Sequence, residues 1–223
     1  SATINEKIKK LAYSLVNNAI RIQISPKDPV AKNIDHSVAF IGMDDKRFFL
    51  EELVKNNQDA KMLVFVRTKV RAERVKKTME RVGIVSQTIH SDKEQKEREQ
   101  TMYDFRYGNL KILIATDVSA RGIDIPNVDY VINYDLPETM EYYVHRVGRT
   151  GRAKNKGNAV TFCSEDEQEQ LNAIEKRLGK PIKRIDISKY EYQTTVKTSG
   201  GLDNWQSLVE ELDSHQSKKK KKK

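Results

Sequence analysis

The sequence predicts an α/β fold in which a parallel sheet is covered by helices on both faces. Three observations predict it. Apolar runs of strand length recur at 38–41, 62–66, 84–89, 112–115, 130–133 and 159–163. Between several of these runs, apolar residues fall at helical spacing instead. The alternation opens at His36 and fades near Tyr190. Strands and helices taking turns in this way give βαβ units, and those build a parallel sheet.

Taken in order, Thr3 and Glu6 have capping-box spacing and open a helix over 4–17. Residues 19–24 read as a short strand. The stretch 25–33, with Pro26 and Pro29, reads as a linker, so a domain boundary falls at 25–35. Phe49, Leu50, Leu53 and Val54 mark the helix after the first run, and Ala72, Val75, Met79 and Val82 the one after the second. A third helix covers 93–107. Met140, Tyr143, Val144 and Val147 form one apolar helical face, with Glu138 and Glu141 in its first turn, where negative charge suits the helix dipole. Gly148 is placed to take the left-handed conformation that ends a helix. Ser164 and Glu167 make a capping box for the last helix, whose apolar face is Leu171, Ile174 and Leu178. The main domain therefore spans 36–188.

Residues 189–223 read as a flexible extension. Ser199-Gly200-Gly201 interrupts the chain, while Leu202, Trp205, Leu208, Val209 and Leu212 suit a short amphipathic helix. The run Lys218 to Lys223 cannot pack against itself.

A hydrophobic fraction of 37% beside 33% charged residues permits one good-sized core with polar ends. Net charge is +9, but the terminal lysines supply six of those charges, so the body is only mildly basic. That balance favours polyanionic partners without naming one. Cys163 is the single cysteine, which excludes a disulfide framework or a thiolate zinc site. No run is long enough to span a membrane and no signal-peptide pattern is present, so a soluble, reducing, cytoplasmic setting is expected. A chain opening on Ser1 reads as a piece of a longer protein.

In such a sheet, ligands gather beyond the carboxyl ends of the strands. Thr68, the run His90-Ser91-Asp92, and Thr116 with Asp117 all follow strands in this way. A second cluster is His145-Arg146-Val147-Gly148-Arg149-Thr150-Gly151-Arg152. It carries Arg149 and Arg152 on a glycine-permitted turn at a helix end, where guanidiniums can make forked hydrogen bonds to phosphate oxygens. By itself, that run suits a solvated Arg/Gly loop equally well.

Read together, these stretches resemble the C-terminal RecA-like lobe of a DEAD-box RNA helicase. The matches are Leu63-Val64-Phe65-Val66-Arg67-Thr68, Gln95 with Arg98, the run from Ala115 to Asp124, and His145 to Arg152, in the family's order over roughly 36–185. Ser1-Ala2-Thr3 is similar to the family's Ser-Ala-Thr motif, so residues 1–24 would be the trailing end of an N-terminal RecA-like lobe. One departure is His90-Ser91-Asp92, where the family usually has His-Gly-Asp.

The resemblance implies a role for each matching residue. Arg149 and Arg152 would reach across a cleft to ATP held by the other lobe, stabilising charge on the transferred phosphoryl group. Asp124, with Gly122 beside it, would accept hydrogen bonds from the ATP ribose. Thr68, Arg98 and Thr116 would hold RNA phosphates without reading bases, and Gln95 would support the same RNA-binding loop. Ser1, Thr3, Arg121 and His145 would couple the two lobes. As residues alone, Thr68 also suits a helix cap, Arg98 a solvated helix position, Thr116 a turn, Asp124 a turn before Pro126, and His145 a surface histidine.

The chain lacks a Gly-x-x-x-x-Gly-Lys-Ser/Thr loop, and Glu165-Asp166-Glu167 reads as a helix start rather than an acidic magnesium motif. The lobe alone is therefore expected not to hydrolyse ATP. The Mg²⁺ would be held mainly by the missing lobe, with no metal site here. The implied function is the C-terminal lobe of an ATP-dependent RNA helicase that opens or remodels RNA duplexes locally. The competing reading is a non-catalytic RNA-binding or annealing module dominated by its lysine tail. Deleting 218–223 separates the two, since only the module would lose nearly all RNA affinity.

Overall fold

Two sets of apolar side chains alternate along the central strands and enter opposite faces of one sheet. The computed structural model describes residues 10, 11, 13–16, 29–120, 128–151 and 156–199. Its strands are β1 (Ile34–Phe40), β2 (Met62–Phe65), β3 (Gln87–Ile89), β4 (Ile112–Ala115), β5 (Tyr130–Asn133), β6 (Gly157–Cys163) and β7 (Lys183–Ile185). They form a parallel sheet in the order β3-β4-β2-β5-β6-β1-β7. The helices are α1 (Lys46–Lys55), α2 (Lys69–Arg81), α3 (Gln95–Tyr107), the short α4 (Asp117–Ala120), α5 (Met140–Val147), α6 (Gln168–Leu178) and α7 (Lys189–Ser199).

On one face, Leu63, Phe65, Leu113, Ala115 and Val131 pack with Phe105 of α3, Tyr143, Val144 and Val147 of α5, and Leu171 and Ile174 of α6. On the other, Met62, Val64, Ile112, Ile114 and Ile132 pack with Phe49, Leu50 and Val54 of α1 and Ala72, Val75 and Met79 of α2. Residues 62 to 65 are all buried because each face has its own helix layer. The fold is thus α/β, a parallel sheet with helices on both faces, as the alternation of patterns requires.

Several boundaries differ from the pattern-based expectation. The strand expected over 84–89 begins at Gln87, because Gly83 takes a left-handed turn (φ 77°) and the Ile84 N–H bonds back to the Met79 carbonyl at 2.9 Å. Gly148 is not left-handed (φ −67°). Tight turns carry the chain on to Gly151, which is (φ 64°) and whose missing Cβ leaves room for Ile34. β7 is exposed at all three positions and so carries no apolar run.

The segment 189–199, read as the start of an extension, is instead the docked helix α7. It packs on α1, with Tyr192 and Val196 against the buried cluster of that face. The Tyr192 hydroxyl donates to Asp45 at 2.7 Å and accepts from the Gly42 N–H at 2.9 Å, and its ring lies 4.9 Å from that of Phe49. Thr195 donates to Glu52 at 2.6 Å. Of the helix expected over 4–17, only residues 10, 11, 13 and 14 are described as helical, and the strand expected over 19–24 lies outside the described residues.

The capping box at Ser164 is present, and its Glu167 does more than cap. Glu167 is buried and accepts from Lys46 Nζ at 2.6 Å, from Arg67 at 3.1 Å and from the Leu136 N–H at 3.2 Å. Lys46 is itself fully buried, so neither charge has water to turn to. Burial alone would raise the Glu167 carboxyl, but the Lys46 ammonium and the N–H donors outweigh it and hold the group below its ordinary range. The unfolded chain therefore takes up this proton first as pH falls, and stability present above the ordinary glutamate range is lost on acidification. We predict that Glu167→Gln makes the acid limb of a urea-monitored stability profile shallower. An acid limb as steep as wild type would show that Glu167 does not contribute to it.

Candidate functional site

β2, β4 and β3 are neighbours, so the loops leaving their carboxyl ends converge on one edge. Thr68 caps α2 there, its hydroxyl accepting from the Arg71 N–H at 3.2 Å while the residue stays exposed. Thr116, half-buried, follows β4; its hydroxyl donates to Ser119 at 3.2 Å and its N–H to the Ile89 carbonyl at 3.4 Å. Gln95 and Arg98 stand in the first turn of α3, joined to each other at 3.4 Å, and Gln95 also donates to Glu99 at 2.7 Å. Arg98 is half-buried, and its Nε is a buried donor with no hydrogen-bond partner.

The loop between β3 and α3 is pinned from beneath. His90 is buried, with Nε2 2.9 Å from Glu73 Oε1, and Thr88 donates to the same oxygen at 2.6 Å. Burial would raise the Glu73 carboxyl, but the Thr88 and His90 hydrogen bonds and the Lys93 charge hold it below its ordinary range. Ser91, the departure from the family's usual glycine, is exposed, and its hydroxyl lies 3.4 Å from an Asp92 carboxylate oxygen.

Helix α5 ties this edge to a second feature. Thr139 caps it, accepting from the Tyr142 N–H at 3.4 Å. Arg146, 3% exposed, makes a fork to Asp117 at 2.7 and 2.8 Å. It also donates to the Asp135 carbonyl at 2.7 Å and to Asn133 at 3.3 Å, with the guanidinium 5.1 Å from the Phe65 ring centre. His145 and Arg149 on the same helix end are half-buried and line an open cleft of about 230 Å³. Its opposite wall is the stretch Pro29, Val30, Ala31 and Ile34 that leads into β1.

The structure thus brings Thr68, Gln95, Arg98 and Thr116 to one edge, and His145 and Arg149 to one cleft, with α5 between. Ser1, Thr3, Arg121, Gly122, Asp124 and Arg152 lie outside the described residues. Arg146 was missed as a site component, although it stands three residues from Tyr143 on the packed face of its helix, where a charge needs a partner. Among the described residues, no group of three or more His, Cys, Asp or Glu side chains is placed to hold a metal, and no helix is long and apolar enough to cross a membrane.

This parallel α/β architecture with its polar carboxyl edge is one the chain shares with DEAD-box proteins. Residues 45–154 match the helicase conserved C-terminal domain. The chain is 40% identical to the probable ATP-dependent RNA helicase DDX4 of Homo sapiens over 172 residues, 77% of this chain and 24% of that one. Its fold superposes on Saccharomyces cerevisiae Dbp5 bound to RNA and ADP BeF3 with a TM-score of 0.78 and 31% identity, covering 89% of this chain and 54% of that one. It also superposes on the Escherichia coli DEAD-box protein SrmB, bound to regulator of ribonuclease activity A, with a TM-score of 0.66 and 30% identity, covering 70% of this chain and 92% of that one. The chain belongs to the DEAD-box RNA helicase family, as its C-terminal helicase domain. It spans less than half the length of the curated relatives it matches.

Proposed function

We propose that this chain is the second lobe of an ATP-dependent RNA helicase and that it supplies two services to a nucleotide pocket completed by a first lobe. One is a pair of arginine fingers, Arg149 and Arg152, aimed at the transferred phosphoryl group, with Gly122 and Asp124 holding the nucleotide. The other is the edge formed by Thr68, Gln95, Arg98 and Thr116, which grips RNA phosphates irrespective of sequence. In this reading 1–24 trail from the first lobe, 25–35 link the two, and Ser1, Thr3, Arg121 and His145 couple them. The setting is cytoplasmic.

The observation that carries the reading is α5. Arg146 anchors it beside Thr116 while Arg149 faces an open cleft rather than its own core. A rigid helix so placed moves with the RNA edge and the phosphate-binding end together. Closure of the lobes on single-stranded RNA would then bring Arg149 to the nucleotide, open a short duplex locally, and be reset by hydrolysis. The RNA and ADP BeF3 in the Dbp5 structure support both ligands. This reading assigns Mg²⁺ mainly to the first lobe.

The test is to join the chain to its first lobe and measure ATP hydrolysis with and without single-stranded RNA. RNA-stimulated turnover that vanishes in Arg152→Ala is expected. Equal turnover in that variant would remove Arg152 from the reaction, and no RNA stimulation in the wild type would overturn the whole reading.

A further inference from the structure

The ends of β2 and β3 stand two strand spacings apart, about 10 Å, with the end of β4 and Thr116 between them. Lys69, the residue after Thr68, places its ammonium 2.7 Å from Asp92 on the loop after β3. We propose that Lys69 is a further phosphate-binding residue of the RNA edge, held in reserve by Asp92, and that a backbone phosphate of single-stranded RNA displaces that carboxylate on binding. The inference rests on the RNA reading given above.

Charge argues for an exchangeable anion at this point. The first turn of α2 carries Lys69 and Arg71 and no acidic residue, so cations crowd the positive end of a helix dipole. An anion is called for, and Asp92 reaches over from a neighbouring loop to supply it. The two cations differ in how they are held. Arg71 is 3.0 Å from Asp135, which is 3% exposed and also accepts from the Arg67 N–H, so that partner is fixed in the lobe. Lys69 and Asp92 are 51% and 54% exposed. An exposed pair of this kind adds little to stability and opens readily.

Exchange also leaves each group satisfied. Lys69 passes from a carboxylate to a phosphate, and Asp92, already half in water, completes its solvation. The Lys69 hydrogen bond that now holds the Asp92 carboxyl below its ordinary range marks this lysine as the partner it would lose. The neighbouring cation Lys93 is less available, because it is 19% exposed and bound to Glu97 at 2.6 Å with Glu73 behind it at 3.8 Å.

The test is a titration of the 223-residue chain into a short fluorescein-labelled oligouridylate, read by anisotropy over a series of salt concentrations. Lys69→Met is expected to weaken binding about fivefold near 0.1 M salt and to reduce the salt slope by about 0.7, the signature of one lost phosphate contact on a single strand. Asp92→Asn is expected to tighten binding, and that gain should disappear in the Lys69→Met background. Two results overturn the proposal. If Asp92→Asn weakens binding, the pair is a structural clasp; if its gain persists without Lys69, Asp92 acts only by repulsion. Thr116→Val separates this inference from the reading beneath it. Weaker binding in Thr116→Val with none in Lys69→Met sinks the latch alone, whereas unchanged binding in Thr116→Val sinks the RNA edge. Thermal unfolding of each variant confirms that it is folded.

Discussion

Arg149→Ala in the chain joined to its first lobe is expected to lower RNA-stimulated ATP turnover by about 10³-fold or more, with RNA affinity nearly unchanged. The size follows from what a supplied guanidinium does. Negative charge spreads over the transferred phosphoryl oxygens in the transition state, and a fixed cation in a closed, dry cleft stabilises it far more than water would. Arg149 is suited to this because α5 is immobilised one turn earlier by Arg146, and the Arg149 N–H itself bonds to the Arg146 carbonyl at 3.0 Å. It is half-buried and lines the open cleft with His145 and Gly148. Arg149→Lys should restore little, since a lysine keeps the charge but loses the planar fork. Folding should be unaffected, because the residue is half-exposed. Turnover within a few-fold of wild type would refute the finger assignment and leave the fold untouched.

The fold class was legible because a parallel sheet writes itself as continuous apolar runs. Residues 62–65 and 112–115 are buried at every position and read that way directly. β7 and α7 were not legible. Each is recruited by contacts with distant residues, such as β7 pairing with β1 and Tyr192 on Asp45 and Gly42, 147 and 150 residues away, and local periodicity cannot report these. Gly148 and Gly151 show a finer version of the same limit. The helix-end rule pointed to Gly148, but the need for glycine comes from Ile34 on another strand, pressing on Gly151.

The polar edge was legible for a topological reason, since loops after parallel strands must share one side of the sheet. The charges holding that edge in place were only half legible. Lys46 lies three and four residues before Phe49 and Leu50, and Arg146 lies three after Tyr143, so both sit on apolar helix faces. A charge in that position announces a buried partner without saying which acid provides it. Only the packed structure pairs Lys46 with Glu167 and Arg146 with Asp117.

Arg146→Ala is expected to destabilise the lobe by about 3–5 kcal/mol, the cost typical of breaking a buried ion pair by removing one partner. The guanidinium is 3% exposed and saturates three groups: the Asp117 carboxylate, the Asp135 carbonyl and the Asn133 side chain. Truncation leaves all three short of a donor at once and opens a space beside Phe65, so water can restore only Asp117, which is 26% exposed. Asp117→Ala should cost less, because Arg146 would keep its carbonyl and amide acceptors. The double variant should lose clearly less than the two single losses added together, since the fork they share is broken only once. Arg146→Lys tests position apart from charge. A lysine can reach one Asp117 oxygen but cannot also serve Asp135 and Asn133, so the lobe should fold while its α5 is held loosely. In the joined protein that variant should weaken both RNA binding and ATP turnover, because one helix positions Thr116 through Asp117 and carries Arg149. A loss confined to turnover, with RNA affinity intact, would mean that the edge and the cleft are built independently.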